Sequence, residues 1–134
     1  MESVETTLMI LSDGDIIMAR QQGRTFVLQL GFSTLEATLV ATAISELARN
    51  IVLYANRGEI VLRPLAHDGR PGVQVIARDQ GPGIPEVQQA AICSSSTCEG
   101  LRIGLRAMKR LVDEFELVSR VGEGTTVAIK KWKS

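Results

Sequence analysis

Ser45-Glu46-Leu47-Ala48-Arg49-Asn50-Ile51-Val52-Leu53-Tyr54-Ala55 is the stretch on which the reading of this chain turns. It predicts a helix that places a carboxylate, Glu46, one turn before an amide, Asn50. Residues four apart share a helix face. Together the two side chains could hold a cation and activate a hydroxyl or a water. Glu and Asn also populate solvated helix faces, so the pair takes its meaning from what surrounds it.

Toward the N-terminus, Ser33-Thr34-Leu35-Glu36 is a capping box. Ser33 bonds the backbone ahead while Glu36 reaches back. Leu35, Leu39, Ala43, Leu47, Ile51 and Ala55 then form an apolar row at four-residue spacing among Ala, Thr and Val. The row predicts a largely buried helix, ended by Gly58. A carboxylate is costly to bury without partners, so Glu46 in such a helix asks for a site. Before it, Ile16, Ala19, Gly23, Val27 and Leu30 recur at helical period from Asp15 to Leu30. Asp13 is placed to cap this helix and Gly31 to end it, with Arg20 and Arg24 on a solvated face. Val4 to Leu11 is apolar with partial alternation and reads as a strand, broken by Ser12-Asp13-Gly14.

Toward the C-terminus, Glu59 to Leu65 and Val73 to Arg78 are strand-like, joined by the loop His67-Asp68-Gly69-Arg70-Pro71-Gly72. The single histidine, His67, lies in that loop and reads as exposed. The second strand runs into Asp79-Gln80-Gly81-Pro82-Gly83-Ile84-Pro85. An Asp leaving a strand into two glycines can aim its carboxylate into a cleft, and glycines let a flat ligand approach the backbone. The same residues also make an ordinary Pro/Gly turn. Val87 to Glu99, with Cys93-Ser94-Ser95-Ser96-Thr97-Cys98, is small and polar and reads as a mobile lid. Gly100-Leu101-Arg102-Ile103-Gly104-Leu105 leads into a helical pattern of Leu105, Met108, Leu111, Val112 and Phe115. Such a loop offers free N–H groups and a positive dipole end to phosphate. Phe115 to Val121 and Thr125 to Trp132 are two further strands, with Gly122-Glu123-Gly124 as the turn between them. In the second, Val127 and Ile129 share one face, Ala128 and Lys130 the other.

Composition narrows the function classes. The 134 residues, 45% hydrophobic, suit a single domain over 1–134 with a core of its own. Fifteen basic and fifteen acidic residues cancel, so no whole-chain field attracts nucleic acid or an anionic membrane. No apolar run is long enough for a membrane span, and Met1-Glu2-Ser3 lacks a basic, apolar leader. A cytoplasmic protein is expected. Cys93 and Cys98, without a nearby His, make no zinc site and read as free thiols.

Four signals thus occur in order: Glu46 and Asn50 on a helix, Asp79-x-Gly81-x-Gly83 after a strand, Gly100 to Gly104 before a helix, and Gly122-x-Gly124-Thr125 in a late turn. The ordered set resembles the nucleotide-binding domain shared by gyrase, Hsp90, histidine kinases and MutL, the GHKL ATPases. Ser45 to Asn50, Asp79 to Pro85 and Met108-Lys109-Arg110-Leu111-Val112-Asp113-Glu114-Phe115 narrow the resemblance to the switch serine/threonine kinases of the bacterial stressosome, over nearly the whole length.

The resemblance implies an α+β fold: a two-layer sandwich of one mixed, mostly antiparallel sheet with helices on one face. It implies ATP and Mg²⁺ between helices and lid. Asn50 would ligate the Mg²⁺, and Glu46 would be the base toward a serine hydroxyl. Asp79 would accept from the adenine amino group, while Gly81 and Gly83 let the ring sit against the backbone. Gly100, Gly104 and Leu105 would present amides to the phosphates, and Thr125 would help close the adenine pocket. The implied partners are STAS-domain stressosome proteins of the RsbS and RsbR type, and a PP2C-type phosphatase of the RsbU type. Two residues depart from the family's glycine-rich lid: Glu99 and Arg102 stand where glycines are usual. A Glu near triphosphate is repulsive, whereas Arg102 either contacts phosphate or marks a solvated helix start beside Arg106, Lys109 and Arg110. A binding module or anti-sigma factor that acts by sequestering partners is the competing expectation.

Overall fold

The computed structural model describes residues 4–83 and 108–134. Five strands and two long helices appear among them. β1 (Thr6–Ile10) is followed by α1 (Asp13–Gln29) and α2 (Thr34–Ala55). Then come β2 (Gly58–His67), β3 (Arg70–Asp79), β4 (Glu114–Arg120) and β5 (Gly124–Trp132). The strand order is β1-β2-β3-β5-β4, and every pairing is antiparallel. The sheet among the described residues is antiparallel throughout, in keeping with the mixed, mostly antiparallel sheet expected.

The helix ends follow capping chemistry. In α2, Ser33 Oγ accepts from Glu36 N at 3.1 Å, and Glu36 Oε1 accepts from Ser33 N at 3.0 Å. This is the capping box read from the sequence. In α1 the cap is Ser12, not Asp13. Asp15 reaches back to accept from Leu11 N at 2.8 Å and Ser12 N at 3.2 Å, leaving Asp13 as the first helical residue. Gly31, at φ +91°, follows the end of α1 as expected. The end of α2 differs from expectation: the turn is made by Asn56 at φ +70°, and Gly58 already begins β2.

The buried face of α2 also differs from the row at four-residue spacing. Four residues overshoot one turn by about 40°, so such a row winds off the core. Leu35 is 70% exposed, while Ala43, Leu47 and Ile51 of the row are buried together with Ala37, Val40, Ala41, Ile44 and Ala48. Ala37, Val40, Ala43, Ile44, Leu47, Ala48 and Ile51 pack with Phe26 and Val27 of α1 and with Ile60, Leu62, Val75, Ala77, Val127 and Ile129 of the sheet in one core.

β2 and β3 are longer than the sequence suggested. Arg70, Pro71 and Gly72 pair with His67, Ala66 and Leu65. The loop shrinks to Asp68-Gly69, both at positive φ, the geometry of a two-residue hairpin turn. His67 is exposed. The expected helix through Phe115 is also shortened. Within the described residues it keeps Met108, buried in the core, and a 3-10 turn over Lys109–Leu111. Phe115 and Leu117 instead pack inward from β4.

Candidate functional site

α2 presents Asn50 to the sheet. Asn50 is buried, and its Nδ2 donates to the Glu46 carbonyl at 2.7 Å. That bond ties the amide to its own helix and makes Oδ1 the atom offered outward. Asp79 ends β3 directly opposite Gly58 on one side and Thr125 on the other. Its Oδ1 accepts from Gly81 N at 2.9 Å, so one carboxylate oxygen folds the turn. Asn50, Asp79 and Thr125 converge, with Leu47, Ile51, Ala77 and Val127, on one crevice of about 10 Å³. That volume is on the scale of one water.

The glycines after Asp79 have packing roles of their own. A Cβ on Gly81 would press on Ala55 of α2 at 2.6 Å. Gly83 lies at φ +79°, and a Cβ there would collide with the Arg120 carbonyl. Gly122 N donates to Pro82 O at 2.8 Å. The Asp79 loop is thereby seated between the end of α2 and the β4–β5 turn.

Glu46 stands differently from expectation. Its side chain is 25% exposed and pairs with Arg49 Nη1 at 2.9 Å, and it is not among the residues lining the crevice. The argument from burial thus falls away for Glu46. The buried carboxylate of α2 is Glu36, which is 8% exposed. Backbone N–H groups of Ser134 and Ser33, with the hydroxyl of Ser33, hold it at a pKa of about 2, against desolvation that pushes it up. Gly100, Gly104 and Leu105, together with Cys93, Cys98, Glu99 and Arg102, lie outside the described residues.

One contributor escaped the sequence reading. Ser119, on β4 opposite Thr125, is buried with its Oγ donating to Gly124 O at 3.0 Å and 2.7 Å from Thr125 Oγ1. The available signal was a polar residue at an inward strand position, after Phe115 and Leu117. A larger cavity of about 560 Å³, lined by Met9, Arg57, Glu59, Arg78 and Thr126, shares Asp79 but neither Asn50 nor Thr125.

This geometry can be set beside known proteins. The family described as histidine kinase-like ATPase domain matches residues 16–131, which include Asn50, Asp79 and Thr125. The chain belongs to that family. Within the family it is similar to the serine/threonine-protein kinase RsbT of Bacillus subtilis, 46% identical over 128 residues and covering 96% of each chain. It is also similar to the anti-sigma F factor of Geobacillus stearothermophilus, 31% identical over 84% of this chain and 81% of that one. Among solved structures, the RsbU and RsbW domains of a Mycobacterium tuberculosis protein superpose with a TM-score of 0.63 at 19% identity. That match covers 98% of this chain and 34% of the other, and it shows the shared fold.

The donor set suits a nucleotide-borne cation. Among the described residues, no group of three or more His, Cys, Asp or Glu could cage a metal. Mg²⁺ is characteristically held by one or two protein groups plus substrate phosphates and waters. One amide oxygen from Asn50 fits that pattern. No helix among the described residues is long and apolar enough to cross a membrane.

Proposed function

We propose that this chain is an RsbT-type protein serine/threonine kinase that uses ATP and Mg²⁺. The observation that carries the reading is 46% identity to RsbT across 96% of both chains. The convergence of Asn50, Asp79 and Thr125 on one crevice supports it. In the proposed mechanism Asn50 Oδ1 would hold Mg²⁺, and the ion would supply neutralisation of phosphate charge. Asp79 accepts from the adenine amino group beside Thr125. Gly81 and Gly83 keep the loop close enough for the ring to meet backbone. Gly100, Gly104 and Leu105 are assigned to the phosphates on sequence grounds. Glu46 takes the proton from the incoming serine hydroxyl; its Oε1 accepts from Arg49 Nη1 at 2.9 Å. Positioning and charge neutralisation carry most of such a phosphoryl transfer, and a base contributes about 10²–10⁴-fold.

The proposed acceptors are STAS-domain proteins of a stressosome, of the RsbS and RsbR type, and the proposed target of the released kinase is a PP2C-type phosphatase of the RsbU type. A cytoplasmic setting goes with this reading. Support for a partner-switching role comes from the relatives' names, which include anti-sigma factors, and from a solved chain that carries RsbU and RsbW domains together. The same anti-sigma relatives favour a second reading, a nucleotide-fold module that sequesters partners without catalysis.

A single-turnover assay with labelled ATP and a purified STAS protein separates them. The kinase reading expects transfer by the parent, and loss of about 10²–10⁴-fold in rate with ATP affinity retained in Glu46→Ala. Parental-rate transfer by the variant removes Glu46 as base. Binding of the partner with no transfer by either form favours the sequestering module.

A further inference from the structure

Asn50, Glu46 and Arg49 stand on one turn of α2 and step outward from the crevice. Asn50 is 8% exposed, the Glu46 side chain 25% and the Arg49 side chain 53%. Glu46 Oε1 accepts from Arg49 Nη1 at 2.9 Å. Among the described residues Glu46 Oε2 has no hydrogen-bond partner, and Glu46 is the one carboxylate paired with Arg49. A guanidinium is a planar fork of several N–H donors that can meet a carboxylate edge to edge. Here one nitrogen serves Glu46, and more than half of the side chain lies in solvent. An exposed pair of this kind adds little to stability, so its use is better sought in what arrives from outside.

A serine hydroxyl that reaches Glu46 is presented by another protein from the solvent side, so the chain around that serine passes beside Arg49. An extended chain advances roughly 3.3 Å per residue, which brings side chains within about two residues of the serine into the reach of a guanidinium. A carboxylate there can take the open edge of the fork while Glu46 Oε2 stays available to the hydroxyl. We propose that Arg49 is an acceptor-specificity residue: it selects serines or threonines that carry an Asp or Glu within about two residues. A basic flank would be set against the guanidinium and disfavoured. This inference rests on the kinase reading above and adds to it the sequence class of the substrate.

The test uses a purified STAS protein and ATP-Mg²⁺, with the phosphorylated residue mapped by mass spectrometry. An Asp or Glu within about two residues of that position is expected, and its absence overturns the proposal. The flanking acid is then changed to Lys, and the natural and charge-reversed acceptors are offered to the parent, Arg49→Gln and Arg49→Glu. The parent should lose about tenfold in kcat/KM on the charge-reversed acceptor, the scale of one charge-assisted hydrogen bond. Arg49→Gln should lose as much on the natural acceptor, through KM, and should hardly distinguish the two. Arg49→Glu should reverse the order and favour the charge-reversed acceptor, a crossover that a merely structural Arg49 cannot produce. Equal losses by Arg49→Glu on both acceptors would place its effect in Glu46 or in the helix and overturn the proposal. Should Arg49→Glu fail to fold beside Glu46, Arg49→Gln carries the test, and a parental preference between the acceptors in that variant overturns the proposal. A parent that transfers phosphate to neither acceptor overturns the kinase reading together with this one. Transfer by the parent to both at equal rates overturns this one alone.

Discussion

Two carboxylates on α2 show how differently one residue type is used. Glu36 spends both oxygens on structure: Oε1 accepts from Ser33 N at 3.0 Å, and Oε2 from Ser134 N at 2.9 Å. It thus joins the start of α2 to the C-terminal end of the chain. Its folded pKa of about 2 lies below the ordinary value of 4.5 for a Glu carboxyl. A lowered folded pKa contributes stability that is fully present above the unfolded value and is lost as pH falls through the folded one. Glu36→Gln should therefore be less stable than the parent at neutral pH. The gap should close between about pH 4.5 and 2, as read from unfolding midpoints across that window. A gap that stays constant would show that the ionised form gains nothing from its partners. Asn50 has the opposite profile. Its Nδ2 bond stays within its own turn, and Ala is the best helix former. Asn50→Ala should unfold within about 1 kcal/mol of the parent, yet lose Mg²⁺-dependent ATP binding in calorimetry run with and without the cation. Parental ATP affinity would remove Asn50 from the metal site.

At the scale of elements, the β4–β5 turn sets where Asp79 sits. Gly124 adopts φ +110°, and a Cβ there would collide with the Asp79 carbonyl. Backbone cannot swing aside as a side-chain tip can. Gly124→Ala should cost about 1–3 kcal/mol in urea unfolding, and should also weaken nucleotide binding by displacing Asp79. A destabilised variant with parental affinity would separate the turn from the site. This element also marks the limit of what the sequence discloses. Local chemistry was legible: the Ser33–Glu36 box, the Asp68-Gly69 turn region and the Gly122–Gly124 turn each depend on neighbours in the chain. The convergence of Asn50, Asp79 and Thr125 was legible as a family pattern. Ser119 was not, because its meaning comes from Thr125 across a strand pair. The burial of Glu46 was misjudged because α2 is not buried all round: Ala43, Leu47 and Ile51 face the core, and Glu46 lies on the rim beside Arg49.

The whole molecule links these scales through one core. Asn50 rides on α2, Asp79 on β3 and Thr125 on β5, and all three elements contribute to the same buried cluster. A ligand that touches all three groups therefore gains only when α2 is docked on the sheet, so it should bind the folded chain and not the unfolded one. ATP-Mg²⁺ at a hundredfold excess over its dissociation constant should then stabilise the fold by about 2.7 kcal/mol. For a chain of this size that is roughly 10 °C in Tm. The shift should grow with the logarithm of nucleotide concentration, require Mg²⁺, and vanish in Asn50→Ala. Formal net charge is zero, so no long-range field supplies the attraction, and moderate salt should leave most of the shift in place. A thermal melt without displacement at millimolar ATP-Mg²⁺ would mean that the three residues meet without forming a nucleotide site. The anti-sigma-like reading, in which the fold serves as a partner-binding surface, would then be the better account of the chain.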